Sequence, residues 1–300
     1  MYIADRWKDY EVLDSSQGEK LERWGRYILL RPDPQVIWNT KKSAPEWKKL
    51  NGHYHRSKKG GGEWEFFDLP QEWQIHYQLP DSTINGTDKL TFNLKPFAFK
   101  HTGLFPEQAA NWDWMFNTIS EEVKKGREIK VLNMFAYTGG ATLAAAAAGA
   151  KVTHVDASKG MVTWAKENAR SSGLEEAPIR WLVDDCMKFV EREIRRGNKY
   201  HAIIMDPPSY GRGPKGELWK LEECIYELIE KTNQILADDA ILYLINMYTT
   251  GLSPAVMSYM VSSIVCKSHG GQVEAEDIGL PVRESGLVLP CGSSCRWSKN

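Results

Sequence analysis

The sequence predicts an α/β fold, a mostly parallel sheet with helices on both faces, preceded by a small β-rich N-terminal domain. Three observations carry that expectation. From Ile129 onward, short apolar runs alternate with longer segments whose apolar residues recur at helical spacing, as parallel strands and their crossover helices do. The runs are nearly continuous rather than alternating, as strands buried on both faces require. Their C-terminal ends carry glycines and acids, the place where open α/β sheets hold ligands.

The elements follow in order. Six of the twelve tryptophans lie at or before Trp73, and residues 1–97 read as the small β-rich domain. Leu21 to Leu30 reads as a short strand and Pro32-Asp33-Pro34 as the turn after it. Trp73 to Leu79 and Lys89 to Lys95 are strand-like and flank Asn85-Gly86, a hairpin signal. Gln108 to Lys125 is helical and closes at Gly126. Residues 98–300 form the second domain, and its sheet starts with the strand Ile129 to Phe135.

Gly139-Gly140 permits a tight turn into the alanine-rich helix Ala141 to Ala148. Lys151 to Val155 and Ile179 to Val183 are strands, each followed by a helix, Lys159 to Ser171 and Cys186 to Arg196, that ends near a glycine. His201 to Met205 and Ala240 to Ile245 are further strands, followed by helices Glu217 to Leu236 and Pro254 to Lys267. Val273 to Ile278 and Leu287 to Arg296 pair as a closing antiparallel couple. Five strands and this couple make a Rossmann-like, seven-stranded sheet.

Composition narrows the function classes. The chain has 300 residues, 42% apolar and 26% charged, with a formal net charge of −1. Any surface for nucleic acid is therefore local rather than global. The opening MYIADRWKDY is charged and has no apolar core, and the longest apolar run, Leu143 to Ala148, is too short to span a bilayer. A cytoplasmic location is the expectation. The five cysteines are an odd number, and Cys291 and Cys295 form a lone Cys-x3-Cys without a second ligand pair, so no metal is expected.

Acids stand at successive strand ends: Asp156, Asp184-Asp185 and Asp206. One such acid reads equally well as a helix cap; a series of them reads as a nucleoside site. The glycine turn lacks Gly-x-Gly-x-x-Gly, which a dinucleotide pyrophosphate would want. An acid able to accept an adenine amine suits a mononucleoside ligand better.

Val131 to Gly140, Val155-Asp156-Ala157-Ser158, Val183-Asp184-Asp185 and Asp206-Pro207-Pro208-Ser209-Tyr210 resemble the successive motifs of a class I S-adenosylmethionine-dependent methyltransferase. More narrowly, with residues 98 to 108, they resemble the branch of the large-subunit ribosomal RNA methyltransferases that includes the cytosine-5 enzymes. The resemblance implies S-adenosyl-L-methionine as cofactor. It places Tyr137, Thr138 and Gly139 along the cofactor's methionine end, with Asn133 and Phe135 as further cofactor-binding residues. Asp156 would hold the ribose, Asp185 with Cys186 would meet the adenine, and Ala157 and Ser158 would also contact the cofactor. Asp206 would stand where the methyl emerges, shared between cofactor and catalysis.

The same resemblance makes Asp206, Pro207, Pro208 and Tyr210 the catalytic set, with the acid or a proline carbonyl accepting from an amine and the ring stacking a base. In the related cytosine-5 enzymes a cysteine nucleophile follows the fifth strand; here that stretch, Asn246 to Gly251, has none. The departure favours a nitrogen acceptor.

Arg212 and Lys215, in the glycine-rich loop after Tyr210, are candidate phosphate contacts, as are Lys41, Lys42, Lys58 and Lys59 among the N-terminal aromatics. That basic, aromatic segment also reads as an aromatic core with a solvated lysine loop. RNA is the expected partner, with protein or small-molecule methylation, or a silent RNA-binding role, as alternatives.

Overall fold

A computed structural model of the chain describes residues 1–57, 61–80, 84, 86–97, 100–212, 218–249 and 251–299, the side chain of Arg212 excepted. Lys58, Lys59 and Lys215 lie outside the described residues.

The N-terminal region builds a five-stranded sheet from β2 (Tyr10–Ser16), β3 (Glu19–Trp24), β4 (Tyr27–Pro32), β5 (Gly52–Arg56) and β6 (Gly62–Phe66), after the two-residue strand β1 (Tyr2–Ile3). Leu21 to Leu30 is thus two strands, not one. Gly25, at φ +65°, turns the chain between Trp24 and Tyr27, and that single glycine inside a continuous apolar and aromatic run hid the turn. The hairpin β7 (Trp73–Gln78) and β8 (Lys89–Leu94) is antiparallel as expected.

The large sheet uses β9 (Lys130–Met134), β10 (Lys151–Asp156), β11 (Ile179–Val183), β12 (Ala202–Met205), β15 (Leu242–Met247), β16 (Gln272–Pro281) and β17 (Val288–Ser298). Its order is β1-β16-β17-β15-β12-β9-β10-β11. All neighbours are parallel except those of β17, which runs antiparallel to both β15 and β16. Residues 98–300 contribute the seven expected strands, and β1 adds an eighth. It pairs in parallel with β16, occupying an edge that would otherwise present unpaired backbone groups.

Helices α1 (Ala109–Lys124), α2 (Gly140–Ala147), α3 (Lys159–Ser171), α4 (Cys186–Arg196), α5 (Leu221–Asn233) and α6 (Pro254–Val261) cover the two faces. α5 starts later than its apolar spacing implied. Leu218 to Lys220 instead form β14, which pairs with β13 (Tyr210–Arg212) across the glycine-rich loop. α6 runs on through a π-helical turn, Ser262–Cys266.

Among the described residues an apolar core lies on each face of the large sheet, and a small third cluster of Leu13, Leu21, Leu30 and Ala44 lies among the N-terminal strands. On one face Phe189, Leu228, Tyr243, Met257 and Trp297 pack together. On the other, a single core runs from Trp24 and Ile75 through Phe92 and Trp112 to Leu143 and Leu244, joining the N-terminal strands to the large sheet. Polar ties reinforce the junction. Asn168 of α3 accepts from the backbone amide of Asn93 at 2.9 Å, and Arg283 binds Glu46 through two hydrogen bonds of 2.8 and 3.0 Å.

A cluster of charges is also buried among the N-terminal strands. Glu22, with no exposed surface, accepts from Arg31 at 2.6 and 2.8 Å and from the Tyr10 hydroxyl at 2.7 Å. Lys20 bridges Asp33 at 3.2 Å and approaches Glu22 at 3.7 Å.

Candidate active site

The C-terminal ends of β12, β9, β10 and β11 share one edge of the sheet, and the loop after β9 forms the floor of a narrow cleft of about 50 Å³, whose lining does not include Asp156, Ala157, Ser158, Asp185 or Cys186. Asn133, Phe135, Tyr137, Thr138 and Asp206 line it, joined by Phe105, Gln108, Trp112 and Asn246. The loop is wound tightly: Phe135 and Tyr137 adopt left-handed backbone angles of φ +53° and +51°, and Gly139 follows at +90°. Such angles cost a non-glycine residue about 1–3 kcal/mol, so the surroundings must hold them. The Tyr137 amide donates to Asp156 Oδ2 at 2.9 Å, and the Phe135 amide donates to Cys186 Sγ at 3.4 Å. The Thr138 hydroxyl donates to the Gly103 carbonyl at 2.6 Å.

A Cβ on Gly140 would stand 2.5 Å from the Trp112 ring, which explains a second glycine there. Asn133 donates to Thr142, whose hydroxyl meets His154 at 2.8 Å. Burial holds that imidazole down to about 3, so it is a neutral part of the core.

The acids have distinct local duties. Asp156 also accepts from the Ser158 amide at 2.8 Å, which pins its carboxylate at the end of β10. Burial raises its pKa despite these two donors. Ser158 caps α3, and Ala157 between them is exposed. Asp185 caps α4 by accepting from the Lys188 amide at 2.9 Å. Helix capping therefore accounts for one oxygen of Asp185, and its other oxygen has no hydrogen-bond partner among the described residues. Beside it Val183 leaves half its surface exposed, an apolar shelf at the end of β11. Cys186 is buried beneath the loop, and its side chain serves Phe135 rather than the cleft.

Asp206 is half-buried, and no cation lies beside it among the described residues. Burial, with a smaller contribution from Glu107, pushes its carboxyl up to about 7. Glu107 is itself buried, raised by burial, and accepts from the Tyr248 hydroxyl at 3.0 Å. Gln108 donates to Tyr248 at 2.6 Å, and Asn111 donates to Gln108, Asn246 and Ser294 at 2.8–3.0 Å. These wall residues went unnoticed in the sequence because α1, β15 and β17 each supply part of them. Only the polar residues Glu107-Gln108 opening a predicted helix gave a local signal.

The loop after β12 is tied at two points. The Pro208 carbonyl accepts from Trp219 at 2.6 Å, and the Ser209 hydroxyl accepts from Thr249 at 2.7 Å. Tyr210 keeps 57% of its surface exposed. Lys41 and Lys42 do not join the cleft. Lys41 lines a separate cavity with Trp38 and Leu287, and Lys42 pairs with Glu19 while lying 4.2 Å from the Trp47 ring centre.

No cysteine is poised for attack among the described residues. Cys295 pairs with Ile245 in the buried sheet, and burial pushes its thiol up to about 12. Cys291 is raised still further, by burial first and then by Glu107.

The donor set fits S-adenosylmethionine: a pinned carboxylate for ribose hydroxyls, an apolar shelf with a neighbouring carboxylate oxygen for adenine, and a tight backbone loop leading to Asp206. A family model described as S-adenosylmethionine-dependent methyltransferase matches residues 71–257. The crystal structure of a SAM-dependent methyltransferase from Agrobacterium tumefaciens is 35% identical and superposes with a TM-score of 0.87, over 99% of this chain and 93% of that one. Two curated relatives are named ribosomal RNA large subunit methyltransferase K/L. The one from Shewanella frigidimarina is 31% identical over 52% of this chain, and the one from Legionella pneumophila 26% over 81%. The chain spans only 21% and 32% of their lengths. No helix among the described residues is long and apolar enough to cross a membrane. The chain belongs to the S-adenosylmethionine-dependent methyltransferase family.

Proposed function

We propose that the chain methylates a base nitrogen of RNA, with ribosomal RNA the favoured substrate and residues 1–97 as a substrate-recognition domain. The observation that carries this reading is Asp206: a carboxylate lining the cleft, raised to about 7, with no cation among the described residues to neutralise it. Near neutral pH it accepts a hydrogen bond, or the proton itself, from an exocyclic amine. The cofactor, when bound, supplies an electrophilic methyl carbon. Asp156, Asp185 and the 133–139 loop hold the donor side still, so positioning supplies much of the rate.

Exposed Tyr210 offers a stacking face to a flipped base, and the Pro207 carbonyl a further acceptor. The buried, raised thiols speak against an attack on a pyrimidine ring. The names of the Shewanella and Legionella relatives support a ribosomal RNA acceptor. Arg212, Lys215, Lys41, Lys42, Lys58 and Lys59 are proposed to contact its phosphates. The cytosol is the proposed compartment.

The test is a mass-spectrometric comparison of modified nucleosides in RNA from cells with and without the gene, followed by restoration of the missing mark in vitro. Loss of one N-methylated nucleoside is the expected result. An unchanged RNA profile would turn the assignment to a protein or small-molecule acceptor.

A further inference from the structure

β5 and β6 pair with His53 opposite Glu65 and His55 opposite Glu63. Because side chains alternate along a strand, both histidines and both glutamates share one face. Tyr54 and Trp64 share the other and pack edge to face, 5.5 Å apart. A ring nitrogen of each histidine and a carboxylate oxygen of Glu65 lie mutually within 4.8 Å. His55 Nε2 is 2.8 Å from Glu65 Oε2, and the two imidazole centres are 3.8 Å apart. Glu19, at the start of β3, places Oε1 2.9 Å from His53 Nε2, and Lys42 holds its other oxygen at 3.2 Å. His53 and His55 line an open cleft with Glu19 and Asp33, and this cleft shares no lining residue with the one around Asp206.

We propose that His53, His55 and Glu65 bind a divalent transition-metal ion of the zinc class, with Glu19 orienting His53 from outside. Two imidazoles and a carboxylate are the borderline donors that Zn(II) and Co(II) accept, whereas Mg(II) and Ca(II) select oxygen. Ligands about 2.0–2.2 Å from a tetrahedral ion stand about 3.3 Å apart. The 2.8 Å contact therefore opens by about half an ångström when the metal replaces the shared proton. A carboxylate behind a metal-bound imidazole is the usual support for such a ligand, and Glu19 occupies that place.

Side-chain exposures of 18% for His53, 46% for His55 and 51% for Glu65 leave the ion reachable from water. The ion would fasten edge strand β6 to β5 and, through Glu19, to β3, stiffening the proposed recognition sheet. This inference stands apart from the identity of the methyl acceptor.

The experiment uses the full chain, free of any histidine tag and stripped with a chelator. Zn(II) titration by calorimetry should give one saturable site per chain, and Co(II) should develop the visible absorption of a four-coordinate ion that Zn(II) then removes. His55→Ala and Glu65→Gln, both at exposed positions, should keep the far-ultraviolet dichroism of the parent and each weaken Zn(II) by about tenfold or more. His269→Ala should leave affinity unchanged. Absence of saturable uptake by the parent, or parental affinity in either ligand variant, overturns the proposal; in that case the cluster is a pair of hydrogen-bonded surface ion pairs.

Discussion

Glu22 and Asp206 are both carboxylates withdrawn from water, one among the N-terminal strands and one in the cleft. Burial raises both. At Glu22 the charges of Arg31 and Lys20, with hydrogen bonds from Arg31 and Tyr10, outweigh it and hold the group at about 2. At Asp206 no group among the described residues opposes burial, and Glu107 adds to it, so the group sits at about 7. A buried acid whose partners are all present is a rivet. A half-buried acid without a neighbouring cation is poised to exchange a proton with whatever enters. The contrast teaches where chemistry resides in this molecule better than burial alone does.

The sharpest way to break the comparison is to remove each group's defining feature. Asp206→Ala should cut turnover by about 100-fold or more, the usual size of a lost proton acceptor. Calorimetry should show cofactor binding largely kept. Normal turnover would remove Asp206 from the reaction. Arg31→Met leaves Glu22 buried without its main partner and should lower unfolding stability by about 3–5 kcal/mol, read from denaturant midpoints. A loss under about 1 kcal/mol would mean that the cluster reorganises around Lys20.

The two acids should also answer pH in opposite directions. Glu22 has a depressed folded pKa, so its stabilisation is present above the ordinary carboxylate range and is lost as pH falls toward about 2. Asp206 has a raised one, so the folded chain holds its proton longer than the unfolded chain. Stability then declines as pH rises from about 4 through about 7, while activity rises over the upper part of that window as the group ionises. Asp206→Asn should flatten both trends, and an unaltered activity profile would assign the ionisation elsewhere. The smallest expected effect is at Asp156. Its replacement by alanine frees the Tyr137 amide as well as removing the proposed ribose acceptor, and should weaken S-adenosylmethionine by about tenfold, the worth of one charged hydrogen bond. Unchanged affinity would end its ribose role.

The two regions differed in legibility for a physical reason. Asp156, Asp185 and Asp206 each end or follow a strand whose apolar run is local, so their place along one sheet edge follows once the sheet is recognised. Glu22, Lys20 and Arg31 sit in a stretch where charge and apolar residues mix, and nothing in the chain distinguishes a paired interior charge from a solvated one. The wall around Asp206 was hidden likewise. Asn111 meets Asn246 and Ser294 across 135 and 183 positions of sequence, and hydrogen bonds of that range leave no periodic trace. Tyr2 and Ile3 escaped notice because two residues carry no pattern at all.

The wound loop at Phe135 and Tyr137 has a consequence for how the cofactor arrives. Side chains of β10 and α4 already hold its amides, so the loop has little freedom left to surrender. An incoming nucleoside meets a finished cradle, and the entropy of ordering it falls on folding rather than on binding. Association should then be quick and nearly rigid-body, with the slow, shape-changing part of the cycle left to the substrate side of the cleft.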